Sequence, residues 1–228
     1  MTNESIVLLI NKLNRNPNFK DCVKVDIGKN VEIAHIWGED GFSNSHIPYT
    51  YFLIKDKDEY VGAVLDMTHD LHWVILPRHQ KKGHLSKALK HVILPYLLEE
   101  TDRFEQKISI NRKQIGETNY QNSLKVALGV GFKPIDEENL LFDNNSLDEI
   151  EYQFDFQHLG LSQKELEFET NKLLKLAKEL NKINSKIEFA FGKPIKAYTE
   201  TSLNDIAEKV VYIKEVIKDI KYDFDKNK

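Results

Sequence analysis

The sequence predicts a protein of the α/β (α+β) class, in which helices flank a mixed, mostly antiparallel sheet and a helical extension follows. Three patterns predict this class: two consecutive β-hairpins, two later strand-then-helix units, and heptad-spaced apolar residues near the C-terminal end. The chain has 228 residues, of which 41% are hydrophobic. This is enough for one domain of ordinary size, predicted at 1–160, and a helical hairpin at 161–228.

The composition excludes several classes of protein. Acidic residues (36) outnumber Lys and Arg (32), and the net charge of −4 argues against general nucleic-acid binding. Cys22 is the single cysteine, so no internal disulfide can form. The first residues lack a basic segment with a cleavage site, and the apolar runs are far shorter than the roughly 20 residues that cross a bilayer. We expect a cytoplasmic protein without membrane spans.

The first fifty residues predict a helix and a hairpin. Glu4–Leu13 has apolar residues at helical spacing, with Asn3 as the N-cap. Cys22–Trp37 alternates in hydrophobicity around a turn at Gly28–Asn30, which is typical of a β-hairpin. Gly38–Pro48 is polar and contains glycine, so we expect a flexible loop there.

The middle of the chain predicts a second hairpin and a strand that leads into a helix. Tyr49–Ile54 and Tyr60–Met67 are rich in β-forming residues and are separated by a short charged segment. Leu71–Leu76 is a continuous apolar strand that ends at Pro77. Leu85–Leu98 then changes to helical spacing.

The strand-then-helix pattern occurs a second time. Lys107–Asn111 predicts a strand and Tyr120–Val130 a helix, with Gly131 at the position where a helix stop is expected. Leu140–Phe142 and Ile150–Phe156 predict two further strands.

Beyond residue 160, apolar residues recur at alternating steps of three and four. They are Leu173, Leu176, Leu180, Ile183 and Ile187, then Leu203, Ile206, Val210, Ile213, Ile217 and Ile220. Each set covers about two heptads, fewer than the three to four that indicate a free coiled coil. One interpretation is a helical hairpin packed on itself or on the main domain. The other is a homodimer interface or an arm that binds a partner.

The segment between Leu71 and Leu98 reverses the acidic balance of the chain. It holds five basic residues and no acidic one: Arg78, Lys81, Lys82, Lys87 and Lys90. Several of them lie beside Gly83, between a predicted strand and a predicted helix start. Unpaired amides at a helix start attract phosphate, glycine permits close approach of the backbone, and lysine adds charge. The pattern predicts a pyrophosphate-binding loop, whereas a solvated basic turn is the simpler interpretation.

This loop resembles the coenzyme A-binding loop of the GNAT superfamily of N-acetyltransferases, whose pattern is Q/R-x-x-G-x-G/A. Gln80 and Gly83 match the pattern, and Leu85 departs from its small sixth residue. The order of the predicted elements over Tyr49–Phe156 also matches that family, as does the Gly-Phe pair at Gly131 after the second helix. The resemblance covers about half of the chain.

The resemblance implies a sheet splayed open at its centre, beside the strand Leu71–Leu76, with acetyl-coenzyme A (acetyl-CoA) in the gap. Backbone groups of that strand would bind the pantetheine arm, and one N–H would polarise the thioester carbonyl. The cofactor-binding residues implied are Val74, Ile75, Leu76, Gln80, Lys81, Lys82, Gly83, His84, Leu85 and Ser86.

Acetylation of an amine requires a base, because an alkyl amine with a pKa near 10 is protonated at neutral pH. The candidate bases on or just before the strand are His69, Asp70 and His72. We prefer His69 because it shares strand parity with Ile75 and falls close to a catalytic position of the family. The tyrosine that many members use to protonate the thiolate is replaced here by Ala127. Either Tyr120 or a water molecule takes that role, or the protein uses no such acid, or it binds coenzyme A without efficient transfer.

Two other clusters have weaker functional interpretations. Five of the eight histidines lie within 23 residues, but His69 and His72 would face opposite sides of a strand. We find no Cys or carboxylate that completes a ligand set, so we predict no metal. From Asp136 to Asp155 there are eight acidic residues and no basic one. They form either a solvated edge or a border that favours a cationic acceptor, such as a polyamine, an aminoglycoside or a lysine side chain.

The sequence therefore predicts an N-acetyltransferase that moves an acetyl group directly from acetyl-CoA to an amine, without a covalent enzyme intermediate. Two alternatives stay open. One is a non-catalytic member that binds coenzyme A as a sensor or scaffold. The other is acetylation of a protein or a charged tRNA, with the C-terminal hairpin docking the macromolecule.

Overall fold

The structure, a computed structural model, describes residues 2–38, 46–147 and 156–228. The chain divides into two compact units, residues 1–157 and 158–228. Helices and antiparallel strands make up the first unit, and helices make up the second. The predicted α+β class is therefore confirmed. No described helix is both long enough and apolar enough to span a membrane.

The described part of the first unit contains eight strands and five helices. The strands are β1 (Cys22–Gly28), β2 (Val31–Ile36), β3 (Tyr49–Asp56), β4 (Glu59–Asp66), β5 (Leu71–Ile75), β6 (Glu105–Ser109), β7 (Lys133–Pro134) and β8 (Asn139–Asp143). The helices are α1 (Asn3–Arg15), α2 (His84–Ala88), α3 (Leu94–Glu99), α4 (Arg112–Val130) and α5 (Asn144–Leu147).

Strands β1 to β5 form one antiparallel sheet in chain order. Both predicted hairpins are confirmed, and their turns contain Asn30 and Lys57 in the left-handed region. One face of the sheet packs on α1, whose Ile6 and Ile10 are fully buried. The N-cap of α1 is Thr2 rather than the predicted Asn3, because the Thr2 side chain accepts a hydrogen bond from the Ser5 amide.

The remaining strands form a second sheet in the order β6-β8-β7. Strands β5 and β6 are thus edge strands of two different sheets. A side-chain hydrogen bond links them, since the Ser109 amide donates to Asp70 Oδ1 over 3.0 Å. Beyond this link, β5 has no strand partner on its outer edge among the described residues.

The helix predicted over Leu85–Leu98 is confirmed, with an irregularity inside it. Helices α2 and α3 are joined without a break by a π-helical turn at Leu89–Ile93, where the Leu94 amide donates to the Leu89 carbonyl. Pro95 has no amide to continue the regular ladder, which accounts for the wider turn. This helix covers the face of the sheet opposite α1.

The second strand-then-helix unit begins earlier than predicted. Helix α4 starts at Arg112 rather than near Tyr120, because the Asn111 side chain accepts hydrogen bonds from the amides of Lys113 and Gln114. Gly116 interrupts the helix with φ 75° and ψ 161°, which hides the helical periodicity of this segment. Gly131 ends α4 in the left-handed region as predicted. Most of the strand predicted over 150–156 lies outside the described residues.

The second unit is a helical hairpin of α6 (Gln163–Phe191) and α7 (Leu203–Lys226). The two helices run antiparallel. The residues after α7 lie beside those before α6, since Lys228 Nζ donates a hydrogen bond to the Leu159 carbonyl.

The predicted heptad seams are only half correct. Leu173 and Leu180 are partly covered by the neighbouring helix, whereas Leu176 and Ile183 are 51% and 47% exposed. The same alternation occurs on α7, where Ile213 is exposed. In a pair of helices, each helix covers only one narrow face of the other. Every second residue of each predicted heptad seam therefore lies on the surface of the unit.

Candidate functional site

The loop that links β5 to α2 has a run of backbone donors without partners. A 3₁₀ turn at Pro77–His79 precedes residues 80–86, which we call the cradle loop. Lys81 and Gly83 have left-handed φ values of 59° and 81°, and no side chain caps the helix start. Within the described ranges, these amides donate no hydrogen bond: Lys81, Lys82, Gly83, His84, Leu85 and Ser86. Such unpaired amides form an anion site.

Gly83 is needed here for its conformation rather than for space. A Cβ at this position would meet only the Lys87 side chain, at 3.8 Å, but its φ of 81° is one that other residues rarely adopt. Lys81 adopts a similar φ without being glycine, and such strain is often found at binding sites. The backbone of the cradle loop is therefore strained, and the amides of residues 81–86 donate to no described group.

Basic side chains surround one side of the cradle loop. A cavity of about 360 Å³ lies between the loop, the β1–β2 turn and the end of β3. Its charged and imidazole-bearing residues are Lys29, Lys55, Asp56, Lys82, His84, Lys87 and His91. Asp56 is the sole carboxylate in this lining, so the cavity favours an anionic ligand.

The outer edge of β5 leads to the cradle loop. In the ladder with β4, the Leu76 amide donates to the Val61 carbonyl and the Met67 amide donates to the Asp70 carbonyl. Bonding alternates along an antiparallel strand, so the amides of Trp73 and Ile75 point away from β4 towards the open edge. The Ile75 carbonyl accepts a hydrogen bond from Gln80 Nε2 over 3.1 Å.

This geometry corrects part of the predicted cofactor set. The Leu76 amide is already bonded to β4, and by the same alternation the Val74 amide also faces β4. Ile75 is the member of the predicted trio whose amide is available at the open edge. Gly62 lies opposite Ile75, and a Cβ at Gly62 would approach the Ile75 side chain to 2.2 Å. The side chain of Ile75 therefore packs over a position that must be glycine.

His69 lies in the β4–β5 turn and not on a strand. Its amide donates to the Met67 carbonyl, and Thr68 beside it has a φ of 69°. Since β5 begins at Leu71, the argument that His69 shares strand parity with Ile75 is wrong. The His69 side chain is exposed, at the end of β5 opposite the cradle loop.

The other polar groups at the start of β5 are paired. Asp70 Oδ1 accepts hydrogen bonds from the Leu71 and Ser109 amides, and His72 Nε2 lies 2.7 Å from Asn3 Oδ1. Burial raises the pKa of Asp70, against the effect of these amides. Burial lowers the pKa of His72, and the Asp70 carboxylate opposes this shift. His72 faces α1, on the side of the sheet opposite Ile75.

The predicted acid positions lie on α4. The ring of Tyr120 is half-buried against the core and lies 4.4 Å from the Arg112 guanidinium. Ala127, at the tyrosine position of the resembled family, is fully buried. A proton donor is therefore absent from that position.

The acidic strip is partly structural. Asp136 accepts hydrogen bonds from the amides of Glu138 and Asn139, and Asp143 accepts from Ser146 at the start of α5. These hydrogen bonds lower the pKa of both carboxyl groups. The remaining acidic residues after Asp143, at positions 148–155, lie outside the described residues.

Sequence reasoning missed one cluster. Asp56, His79 and His84 each offer a ligand atom, and these atoms lie within 4.8 Å of one another. The fold thus brings a carboxylate beside two of the histidines, a grouping that the sequence analysis did not anticipate. The spacing of His79 and His84 on either side of a short loop could have indicated a shared site. Asp56 comes from the β3–β4 hairpin, so its place in the cluster can be recognised only once the fold is known.

Comparisons with known proteins do not add to this geometry. No protein-family model matches the chain, and no curated protein or solved structure matches it either. The site is therefore interpreted from its own residues.

Proposed function

We propose that the protein is a coenzyme A-dependent N-acetyltransferase of the GNAT type. One observation carries the proposal: backbone donors with no partner among the described residues extend from the open edge of β5, at Trp73 and Ile75, to the helix start at Gly83. A ligand with a diphosphate at one end and an amide-containing arm at the other complements such a row. Acetyl-CoA is a ligand of this kind.

The cradle loop would bind the diphosphate. An anion at a helix start is stabilised by about 0.3–1 kcal/mol, and by up to about 2 kcal/mol where it is partly buried. Lys81 and Lys82 are exposed and form no ion pair with any described carboxylate, so their ammonium groups are available to bind a phosphate. Gly83 lets the backbone approach the ligand closely.

The Ile75 amide would donate to the thioester carbonyl. As an amine attacks the carbonyl carbon, negative charge develops on the oxygen, and one donor aimed at it contributes a factor of about 10² to 10³ in rate. The C–S bond then breaks and coenzyme A leaves as a thiolate, which takes up a proton. The acetyl group passes directly to the amine.

Proton removal from the amine would fall to a water molecule, because His69 lies in the turn before β5, at the end of the strand opposite the cradle loop and the Ile75 amide. His72 is held by Asn3 on the opposite face. Tyr120 or a water molecule would protonate the thiolate, since position 127 has no hydroxyl. A cationic acceptor, such as a polyamine or a lysine side chain, would suit the acidic residues after Asp136.

A second candidate is a protein that binds coenzyme A without efficient transfer. Ala127 is fully buried, so the usual acid of the family has no equivalent there. Release of free thiol from acetyl-CoA, measured across a panel of amines and a lysine-rich protein substrate, separates the candidates. Binding without turnover on any acceptor favours the second, and turnover on the protein alone favours a macromolecular acceptor docked by the exposed apolar residues of α6 and α7.

Binding itself is tested by thermal unfolding with acetyl-CoA. At a ligand concentration 100 times Kd, binding adds about 2.7 kcal/mol of stability, and we expect a rise in Tm of about 5–10 °C. Gly83→Asp puts a carboxylate where the diphosphate would lie and should abolish the rise. The matched control is Gly192→Asp, because Gly192 has a φ of 65°, open space around it and a place in the other unit. A wild-type Tm that does not move at millimolar acetyl-CoA contradicts the proposal.

A further inference from the structure

We propose that Asp56, His79 and His84 form a binding site for a divalent transition-metal ion of the Zn²⁺ class. The three residues come from the end of β3, from the 3₁₀ turn and from the first position of α2. Their ligand-capable atoms lie within 4.8 Å of one another. The proposal does not depend on the proposed acetyltransferase activity.

One imidazole nitrogen of each histidine in the cluster is buried and has no hydrogen-bond partner among the described residues. These atoms are Nδ1 of His79 and Nε2 of His84. His79 as a whole is only 9% exposed. His84 Nε2 lies 3.7 Å from Asp56 Oδ2, which is too long for a hydrogen bond. A buried polar atom left unpaired destabilises the folded protein, and a metal ion that accepts both lone pairs removes this cost.

A supporting carboxylate lies behind His79. Its other nitrogen, Nε2, is 3.4 Å from Glu59 Oε2, and Glu59 also pairs with Arg78. Metal-binding histidines commonly donate their second N–H to a carboxylate, which fixes the tautomer and directs the free lone pair at the metal. Arg78 Nε donates a hydrogen bond of 3.1 Å to the same His79 nitrogen. Metal binding at Nδ1 would put the proton on Nε2, so it requires Arg78 to give up this hydrogen bond.

The donor set selects the class of metal. Ca²⁺ and Mg²⁺ prefer oxygen ligands, whereas two imidazoles and one carboxylate suit Zn²⁺ and its neighbours Co²⁺ and Ni²⁺. In a tetrahedral site with bonds of about 2.0–2.1 Å, ligand atoms lie about 3.4 Å apart. The distances between the ligand atoms, which are within 4.8 Å of one another, would therefore need to shorten by up to about 1.4 Å. Three protein ligands leave a fourth position for water or an anion.

The charges around the cluster favour an anionic fourth ligand. Asp56 neutralises one charge of a divalent ion, and Lys29, Lys82 and Lys87 line the same cavity. The remaining positive charge is therefore offset best by hydroxide, chloride or a phosphate oxygen. The metal would also connect both ends of the loop between His79 and His84 to the β3–β4 hairpin.

The test uses the full-length protein after removal of metals by a chelator. We expect isothermal titration with Zn²⁺ to show one equivalent bound, and Co²⁺ to give the visible absorption of a four-coordinate ion. Absence of stoichiometric binding of both ions overturns the proposal.

Variants assign the site. His84→Gln and Asp56→Asn each remove one ligand at a partly exposed position and should weaken Zn²⁺ binding at least tenfold. Glu59→Gln should weaken it by about tenfold, because the carboxylate only orients His79. The control is His35→Gln, an exposed histidine on β2 outside the cluster. Equal affinity of the ligand variants and the wild type, with circular dichroism showing all of them folded, contradicts the assignment.

Discussion

The two ends of strand β5 differ in how their polar groups are satisfied. At its start, Asp70 accepts hydrogen bonds from the Leu71 and Ser109 amides, and His72 pairs with Asn3. At its other end, the amides of residues 81–86 in the cradle loop donate to no described group. The first region joins the two sheets, and the second leaves its donors for something outside the chain.

This contrast separates structural residues from binding residues. A polar group that is paired within the protein contributes to stability, and its removal leaves a partner unpaired. An unpaired backbone donor contributes nothing to stability until a ligand arrives. Substitutions at the start of β5 should therefore change the free energy of unfolding, and those in the cradle loop should change the affinity for acetyl-CoA.

Gly62→Ala should have the largest effect on stability, because it perturbs β5 itself. The new Cβ would lie 2.2 Å from Ile75 Cδ1 and 2.8 Å from the Val74 carbonyl oxygen, so the strand must shift. We expect a loss of about 2–3 kcal/mol in the free energy of unfolding, measured by urea denaturation, together with weaker acetyl-CoA binding. Gly129→Ala is the control, since nothing lies within 4 Å of it in α4, and it should not destabilise the protein.

Asp70→Ala tests the start of β5. It removes the acceptor of two backbone amides and should cost about 1–3 kcal/mol in the free energy of unfolding. Asp70→Asn keeps an oxygen at the same position and should recover most of this loss. An alanine variant as stable as the wild type would show that the link between β5 and β6 is not needed.

Lys81→Gln and Lys82→Gln test the cradle loop. Each removes one charge near the expected phosphates and should weaken acetyl-CoA binding by about fivefold, which corresponds to about 1 kcal/mol for a charge near an exposed anion. The free energy of unfolding should change by less than about 0.5 kcal/mol, because both side chains are exposed. Calorimetric titration at two salt concentrations measures the affinity, which should be less sensitive to salt in the variants. If these variants lose stability but keep the wild-type affinity for acetyl-CoA, the assignment of the cradle loop to ligand binding is contradicted.

The smallest expected effect is a pH dependence at His72. Its pKa is held below the ordinary value of 6.5, chiefly by burial. The unfolded chain therefore binds this proton more readily, and the stability from neutral His72 is lost as the pH falls from about 6.5 through the lowered pKa. Asp70, whose pKa is raised, acts in the opposite direction at lower pH. In urea unfolding between pH 7 and 5, His72→Gln should show a flatter dependence, and an unchanged slope would exclude this contribution.

Local patterns in the sequence predicted much of the fold. Both hairpins, the strand before Pro77, the long helix after the cradle loop and the stop at Gly131 follow from alternation, helical spacing and turn residues. These signals are local, so a single sequence contains them. The resemblance to acetyltransferases stays a prediction, because no comparison tests it.

The errors concern properties that depend on the fold. The Leu76 amide is bonded to Val61 through the register of β4 and β5, which composition cannot reveal. Half of each heptad seam is exposed because only one neighbouring helix covers it. Asp56 reaches His79 and His84 from a separate hairpin, and Gly116 obscured the first turns of α4. Apart from the interruption at Gly116, each error arose from a contact between distant segments.

The most direct test is a nuclear magnetic resonance titration that follows backbone amides while acetyl-CoA is added. We expect shifts and slower hydrogen exchange at the amides of Ile75 and of residues 81–86, with much smaller changes at Leu71 and Ser109. Binding that leaves the amides of residues 81–86 unchanged, or that perturbs the start of β5 instead, would contradict the central claim.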